Sequence, residues 1–246
     1  MKTMVRTAIL LLAALSPAAA LDDKDDVKAA AQKLADAPNY SWTTIVKNNA
    51  ENAGGAGRFG SGPIEGKAEK DGATWISMKQ GEMGYEAAFK GEKFAMKLKD
   101  QWIGSGDVPG GAQGGRPDPS TMMGRLLKNI KPGAKGVADS IDKIQNLKSE
   151  GGGAYSGEFT PEGAKDQLAP KVEGQPAVPN VSFTDTKGTI KFWIKDGMLV
   201  KVESTLQGKM SYNGKEREIN RTSTTEFRDV GSTKLELPDE AKKKLE

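Results

Sequence analysis

Residues 187–237 read KGTIKFWIKDGMLVKVESTLQGKMSYNGKEREINRTSTTEFRDVGSTKLEL, and this stretch decides the fold. It divides into four antiparallel strands: KGTIKFWIK, MLVKVESTLQGKMSY, KEREINRTSTTEFRDV and STKLEL. Asp196-Gly197 and Asn213-Gly214 stand at the first two joints, where a type I′ turn needs positive φ at both central residues. Val230-Gly231 marks the third joint less strongly. Ile190, Phe192 and Ile194 alternate with Lys191, Trp193 and Lys195. Val200, Val202, Leu206 and Met210 alternate with Lys201, Glu203 and Lys209. A period of two with one apolar face describes a sheet wet on one side and covered on the other.

Upstream, the same rhythm recurs from Ile64 to Trp102. IEGKAEK, TWISMK, YEAAFK and KFAMKLK are separated by turn residues. Ile76 and Met78, then Tyr85, Ala87 and Phe89, then Phe94, Met96 and Leu98 supply the buried face. Trp102 falls in a bend just beyond. Tyr40 to Asn48 forms an earlier strand with Tyr40, Trp42, Thr44 and Val46 on one side. Before it, Asp22 to Asp36 reads as a helix with an acidic start and a narrow stripe of Val27, Ala30, Ala31 and Leu34. Pro38 stops it.

Between these meanders lies GSGDVPGGAQGGRPDP, residues 104–119, too glycine-rich to pack and read as a surface loop or hinge. Asp118 and Pro119 then open a helix carrying Met122, Met123, Leu126, Leu127 and Ile130. That stripe suits either an adaptable lid or a fixed cover on the sheet. A second helix is expected through Val137, Ile141, Ile144 and Leu147 or Lys148, ended by Gly151-Gly152-Gly153. A strand over Ala154–Phe159, a short helix over Pro161–Leu168, an irregular segment over 170–185 and a last charged helix from Pro238 complete the chain. Residues 119–150 are thus a helical lid or cover within one domain spanning 21–246. The fold class is α+β, mostly β.

Residues 1–20 read as an export signal: Lys2 and Arg6, a short apolar run from Ala8 to Leu15, and an A-x-A site at Ala18-Ala19-Ala20. The apolar run falls short of the roughly 20 residues that span a bilayer. Its removal takes the formal net charge from +3 to +1, which gives no electrostatic footprint for nucleic acid. The expected location is the periplasm or the exterior, soluble after cleavage.

Cysteine and histidine are both absent. Disulfides, a lipid anchor through cysteine, imidazole-based triads and zinc sites of the usual kinds are therefore excluded. Gly55-Ala56-Gly57-Arg58-Phe59-Gly60 has the form G-x-G-x-x-G, but Gly62-Pro63 follows where a nucleotide site needs a helix. The acidic cluster at residues 22–26 lacks the spacing and glycine of a calcium loop. The serines lack a G-x-S-x-G elbow. No metal, cofactor or reaction is indicated, and the chain does not read as an enzyme. Trp75 and Trp193 fall on the more polar side of their strands, where they face a partner or lipid, or a covering helix.

The order of these elements, with DGATWISM, FKGEKFAM, GTIKFWIKDGMLVKVEST and TEFRDVGSTKLELP, resembles the lipoprotein-localisation carrier superfamily of bacterial envelopes. Its FW-x-x-DG-x-L run is matched by Phe192, Trp193, Asp196, Gly197 and Leu199. The basic-proline-x-x-aromatic run of true carriers is missing from TWISMKQGEMGYEA. Arg58, in the glycine-rich loop, does not stand where the carriers' lid-latching arginine would. The resemblance implies a half-barrel whose curled sheet holds a hydrophobic ligand, lipid acyl chains or a lipoprotein, on a concave side covered by helices. The expected ligand-facing residues are Phe94, Met96, Met122, Met123, Leu126, Leu127, Phe192 and Ile194, and transient contact with a membrane is compatible with this reading. The alternative is a non-catalytic envelope interaction or structural protein with a filled sheet–helix core.

Overall fold

The computed structural model describes residues 22–50, 63–80, 83–98, 100–107, 133–168 and 181–246. The signal-like segment, the glycine-rich connection over 51–62 and the stripe holding Met122, Met123, Leu126 and Leu127 lie outside them. Four described helices are α1 (Asp23–Ala35), α2 (Ala134–Ile141), α3 (Pro161–Leu168) and α4 (Asp239–Leu245). The strands are β1 (Asn39–Asn48), β2 (Ile64–Glu69), β3 (Thr74–Gln80), β4 (Met83–Lys90), β5 (Lys93–Leu98) and β6 (Gln101–Gly104). A second group comprises β7 (Ile144–Gly151), β8 (Ala154–Phe159), β9 (Val181–Lys195), β10 (Met198–Tyr212) and β11 (Lys215–Arg228).

The eleven described strands form one open sheet in the order β6-β5-β4-β3-β2-β1-β11-β10-β9-β8-β7. It is two antiparallel meanders joined where β1 pairs with β11, with Trp42 opposite Phe227. The result is a half-barrel. The expected hairpin turns form, with Asp196 and Gly197 at φ 53° and 70°, and Asn213 and Gly214 at φ 50° and 75°. These left-handed values match the twist of the flanking strands, which the unprimed turns would splay.

Four local expectations are corrected. The helix expected through Ile144 and Leu147 ends at Ile141, and residues 144–151 form β7 against β8. Helical spacing of Val137, Ile141 and Ile144 runs across the junction, but the glycines after it make a hairpin turn, with φ 62° at Gly152 and 80° at Gly153. Second, STKLEL is no strand; it leaves β11 through Asp229 at φ 54° and runs on unpaired to α4. Third, Trp102 sits within β6 and is buried. Fourth, β9 begins at Val181, inside the segment expected to be irregular. A register shift between Leu199 and Lys201 also turns Leu199 into the core and leaves Val200 half-buried.

Among the described residues, packing forms three clusters. The largest joins α1 (Val27, Ala30, Ala31, Leu34), α2 and α3 to the face of β1 and β7–β11 through Tyr40, Trp42, Phe192, Leu199 and Phe227. A second, with Ala87, Phe89, Phe94 and Met96, lies on the same face of β4–β5. Ile76 touches both. The third is on the opposite face, where Ala241 and Leu245 of α4 cover Ala88, Ala95 and Trp102. The chain reaches it across the outside of β2, where Lys67 Nζ donates to the Lys234 carbonyl at 3.1 Å. Lys244 then pairs with Asp107 at 2.7 Å.

Candidate ligand-binding face

Strand register lays out the inner face in rows. One row runs Ile103, Met96, Ala87, Ile76, Gly66, Trp42 and Phe227 across seven strands. The next runs Met78, Ile64, Thr44, Thr225, Val202, Phe192 and Tyr155. Two residues further along the strands come Val46, Ser223, Ser204 and Ile190, and beyond them Asn48, Arg221, Leu206 and Gly188. Polar side chains enter the face in these last two rows, at Ser223, Ser204, Asn48 and Arg221, beside the apolar Val46, Ile190 and Leu206.

Local sequence explains each part. Gly66 is required because the Trp42 indole lies over it; a Cβ there would stand 2.0 Å from Trp42 Cζ2. The indole in turn leans on Tyr40, with ring centroids 5.8 Å apart, and Tyr40 meets Phe227 edge-on at 6.0 Å. The Tyr40 hydroxyl accepts the Ala134 N–H at 3.1 Å, at the start of α2. That helix has Gly133 at its cap, with no side chain to do so. Burial of the Tyr40 phenol raises its pKa, and the Ala134 contact works weakly against that. Among the polar rows, Thr44 and Thr225 share a hydrogen bond of 2.8 Å. Arg221 donates through Nη2 to the Gln167 carbonyl at 2.9 Å, in the last turn of α3.

Of the residues expected to face a ligand, Phe94, Met96, Phe192 and Ile194 all lie on this inner face. They are not brought together: six strands separate β5 from β9. Phe94 and Met96 belong to the smaller inner cluster, Phe192 and Ile194 to the larger. Phe192 is 0% exposed beneath the helices, and Phe94 1%. Met122, Met123, Leu126 and Leu127 lie outside the described residues. The half-buried inner residues between the two clusters include Ile64, Ile76 and Met78. Ile64 was not singled out from the sequence, although it has the same parity as its neighbours Met78 and Thr44. Thr44 was placed on the inward side with Tyr40 and Trp42, but Arg221 and Thr225 were passed over, because a polar residue on an inward position breaks the alternation that reveals a strand's buried side.

The outer face is different in character. Trp75 and Trp193 lie on it, both half-buried, and Trp193 is flanked by Lys191 and Lys201, 5.4 and 4.7 Å from its ring. A cleft of about 550 Å³ crosses β7–β10 here, lined by Lys148, Ser156, Glu158, Thr189, Lys191, Glu203 and Thr205. Another of about 330 Å³ lies beside α4, between Leu235, Leu237 and Leu245 and the β2–β3 turn. Among the described residues there is no cluster of carboxylates able to hold a metal ion. Nor is any described helix long and apolar enough to cross a membrane.

No family model matches the chain, and no curated protein does. Solved structures give distant likenesses. The lipoprotein LppX of Mycobacterium tuberculosis is 11% identical with a TM-score of 0.47, over 87% of this chain and 97% of that one. LprF from Mycobacterium bovis is 12% identical with a TM-score of 0.44, over 89% and 97%. A LolA-superfamily protein from Nitrosomonas europaea is 10% identical with a TM-score of 0.33, over 89% and 96%. These are likenesses in the course of the chain, and they name no ligand for this protein.

Proposed function

We propose that the protein is an exported, non-catalytic envelope protein that binds a hydrophobic ligand, lipid acyl chains or a lipoprotein, against the inner face of its half-barrel. The observation that carries this reading is the apolar ground between the two inner clusters. Ile64, Ile76 and Met78 stand on the inner face only half-buried, while the sheet contacts of α1 and α3 fall on β7–β10. An acyl chain laid there gains about 0.8 kcal/mol for each methylene it buries. The residues that would complete the site from sequence are Met122, Met123, Leu126 and Leu127, an unbranched and branched apolar mixture suited to an irregular partner. The sequence of residues 1–20 supports export, with cleavage after Ala20.

Native mass spectrometry of the protein purified from its own envelope fraction tests both parts. The expected species begins at Leu21 and carries a co-purified lipid that organic extraction removes. An intact precursor in the membrane fraction alone counts against export. A ligand-free protein that also fails to take up a fluorescent fatty acid excludes the binding reading and leaves a filled-core structural protein.

A further inference from the structure

The far rows of the inner face contain a cation that no described residue balances. Arg221 lies on β11 between Asn48 of β1 and Leu206 of β10. Its described hydrogen bond goes to the Gln167 carbonyl, a neutral acceptor. The Nε–H is shut off from solvent and has no hydrogen-bond partner among the described residues. A buried donor left unpaired costs about 1–3 kcal/mol, and more when the group is charged. Burial lowers the guanidinium's pKa, so the folded protein holds this charge at a disadvantage. Capping the negative end of α3 accounts for one edge of the guanidinium but not for the Nε side.

Position gives the charge a use. Thr225 lies four residues along β11 from Arg221, roughly 13 Å at strand spacing, and pairs across with Thr44 beside Ile64. Along β11 and β1 a charged group is followed by hydroxyls at Ser223 and Thr44–Thr225, with Val46 and Ile190 beside them, and then by Ile64 and Met78, the polarity order of an amphiphile along that line. A planar guanidinium is the side chain best matched to a carboxylate or phosphate.

We propose that Arg221 anchors the headgroup of an anionic amphiphile, a long-chain carboxylate or phosphate ester, whose chain runs along the inner face toward Ile64 and Met78. This rests on the hydrophobic-ligand reading above, and narrows it to ligands with a negative head. Neutral acyl esters then bind through their chains alone.

Calorimetric titration with oleate, methyl oleate and inorganic phosphate, the lipids kept below micelle-forming concentrations, tests the proposal. The wild-type chain is expected to bind oleate about 10- to 100-fold more tightly than methyl oleate, the range of a hydrogen-bonded charge pair. Arg221→Gln should bring the two within about twofold of each other, and Arg221→Lys should keep part of the preference. Equal affinity for acid and ester in the wild type overturns the anchor and leaves the hydrophobic site standing. Failure to bind either lipid removes the hydrophobic reading and the anchor together. Phosphate that binds as tightly as oleate makes Arg221 a free-anion site and overturns the amphiphile. Should Arg221→Gln not fold, the wild-type preference and the lysine variant decide.

Discussion

Tyr40 shows how much a single side chain settles. Its position in an alternating strand marks it as inward from sequence alone, but the role of its hydroxyl is invisible there. The partner is 94 residues away, and only the completed fold brings the Ala134 N–H to it. Since Gly133 contributes no side-chain cap, the phenol serves as a remote one. Tyr40→Phe should therefore destabilise the protein by about 1–3 kcal/mol at pH 7, the cost of a buried N–H without an acceptor. The phenol's pKa is raised by burial from its ordinary 10.0, so the folded chain binds that proton more tightly than the unfolded one. Its contribution is full below pH 10 and lost as pH rises above it. The difference between wild type and the phenylalanine variant, measured by urea denaturation, is thus expected to shrink above pH 10. Equal stability at pH 7 would show that the hydroxyl is not needed.

Among elements, legibility followed how local the signal was. α1, the β1–β5 strands and the two hairpins around Asp196-Gly197 and Asn213-Gly214 were readable, because turn chemistry and periodicity lie within a few residues of each other. β7 was not. Ile144 and Leu147 continue a helical spacing from Val137, and only pairing with β8 turns them into a strand. The same failure in reverse affects STKLEL, whose alternation looks like a strand but which finds no neighbour in the sheet. Its work is to carry α4 across the outer face, where Trp102, Ala88 and Ala95 would otherwise meet water. Ending the chain after Pro238 should therefore loosen β4–β6 selectively. Amide exchange in those strands is expected to quicken roughly tenfold or more, with β9 and β10 unchanged. Uniform acceleration across the sheet would mean that α4 stabilises the fold as a whole.

On the scale of the molecule, the sequence shows one apolar face, and the described residues of that face fall into two clusters. Nothing in the period-two pattern separates Phe94 and Met96 from Phe192 and Ile194, since alternation reports which side of a sheet a residue faces and not its distance along it. The strand order supplies that distance, placing β4, β3, β2, β1, β11 and β10 between them. Ile76 is the residue shared by the two inner clusters, and it is itself only half-buried. A single continuous core would couple the two aromatic rings; two clusters joined through a half-exposed isoleucine should not. Phe94→Leu and Phe192→Leu are each expected to cost about 1–2 kcal/mol by removing buried ring volume. The double variant should lose their sum to within about 0.5 kcal/mol, as independent sites do. Urea denaturation of the four proteins measures this directly. Addition of excess oleate supplies the complementary arm: a ligand bridging Ile64, Ile76 and Met78 between the clusters would introduce coupling absent from the free protein. Coupling above about 1 kcal/mol without ligand would instead show that the inner face is already closed into one core, leaving no apolar ground for an acyl chain.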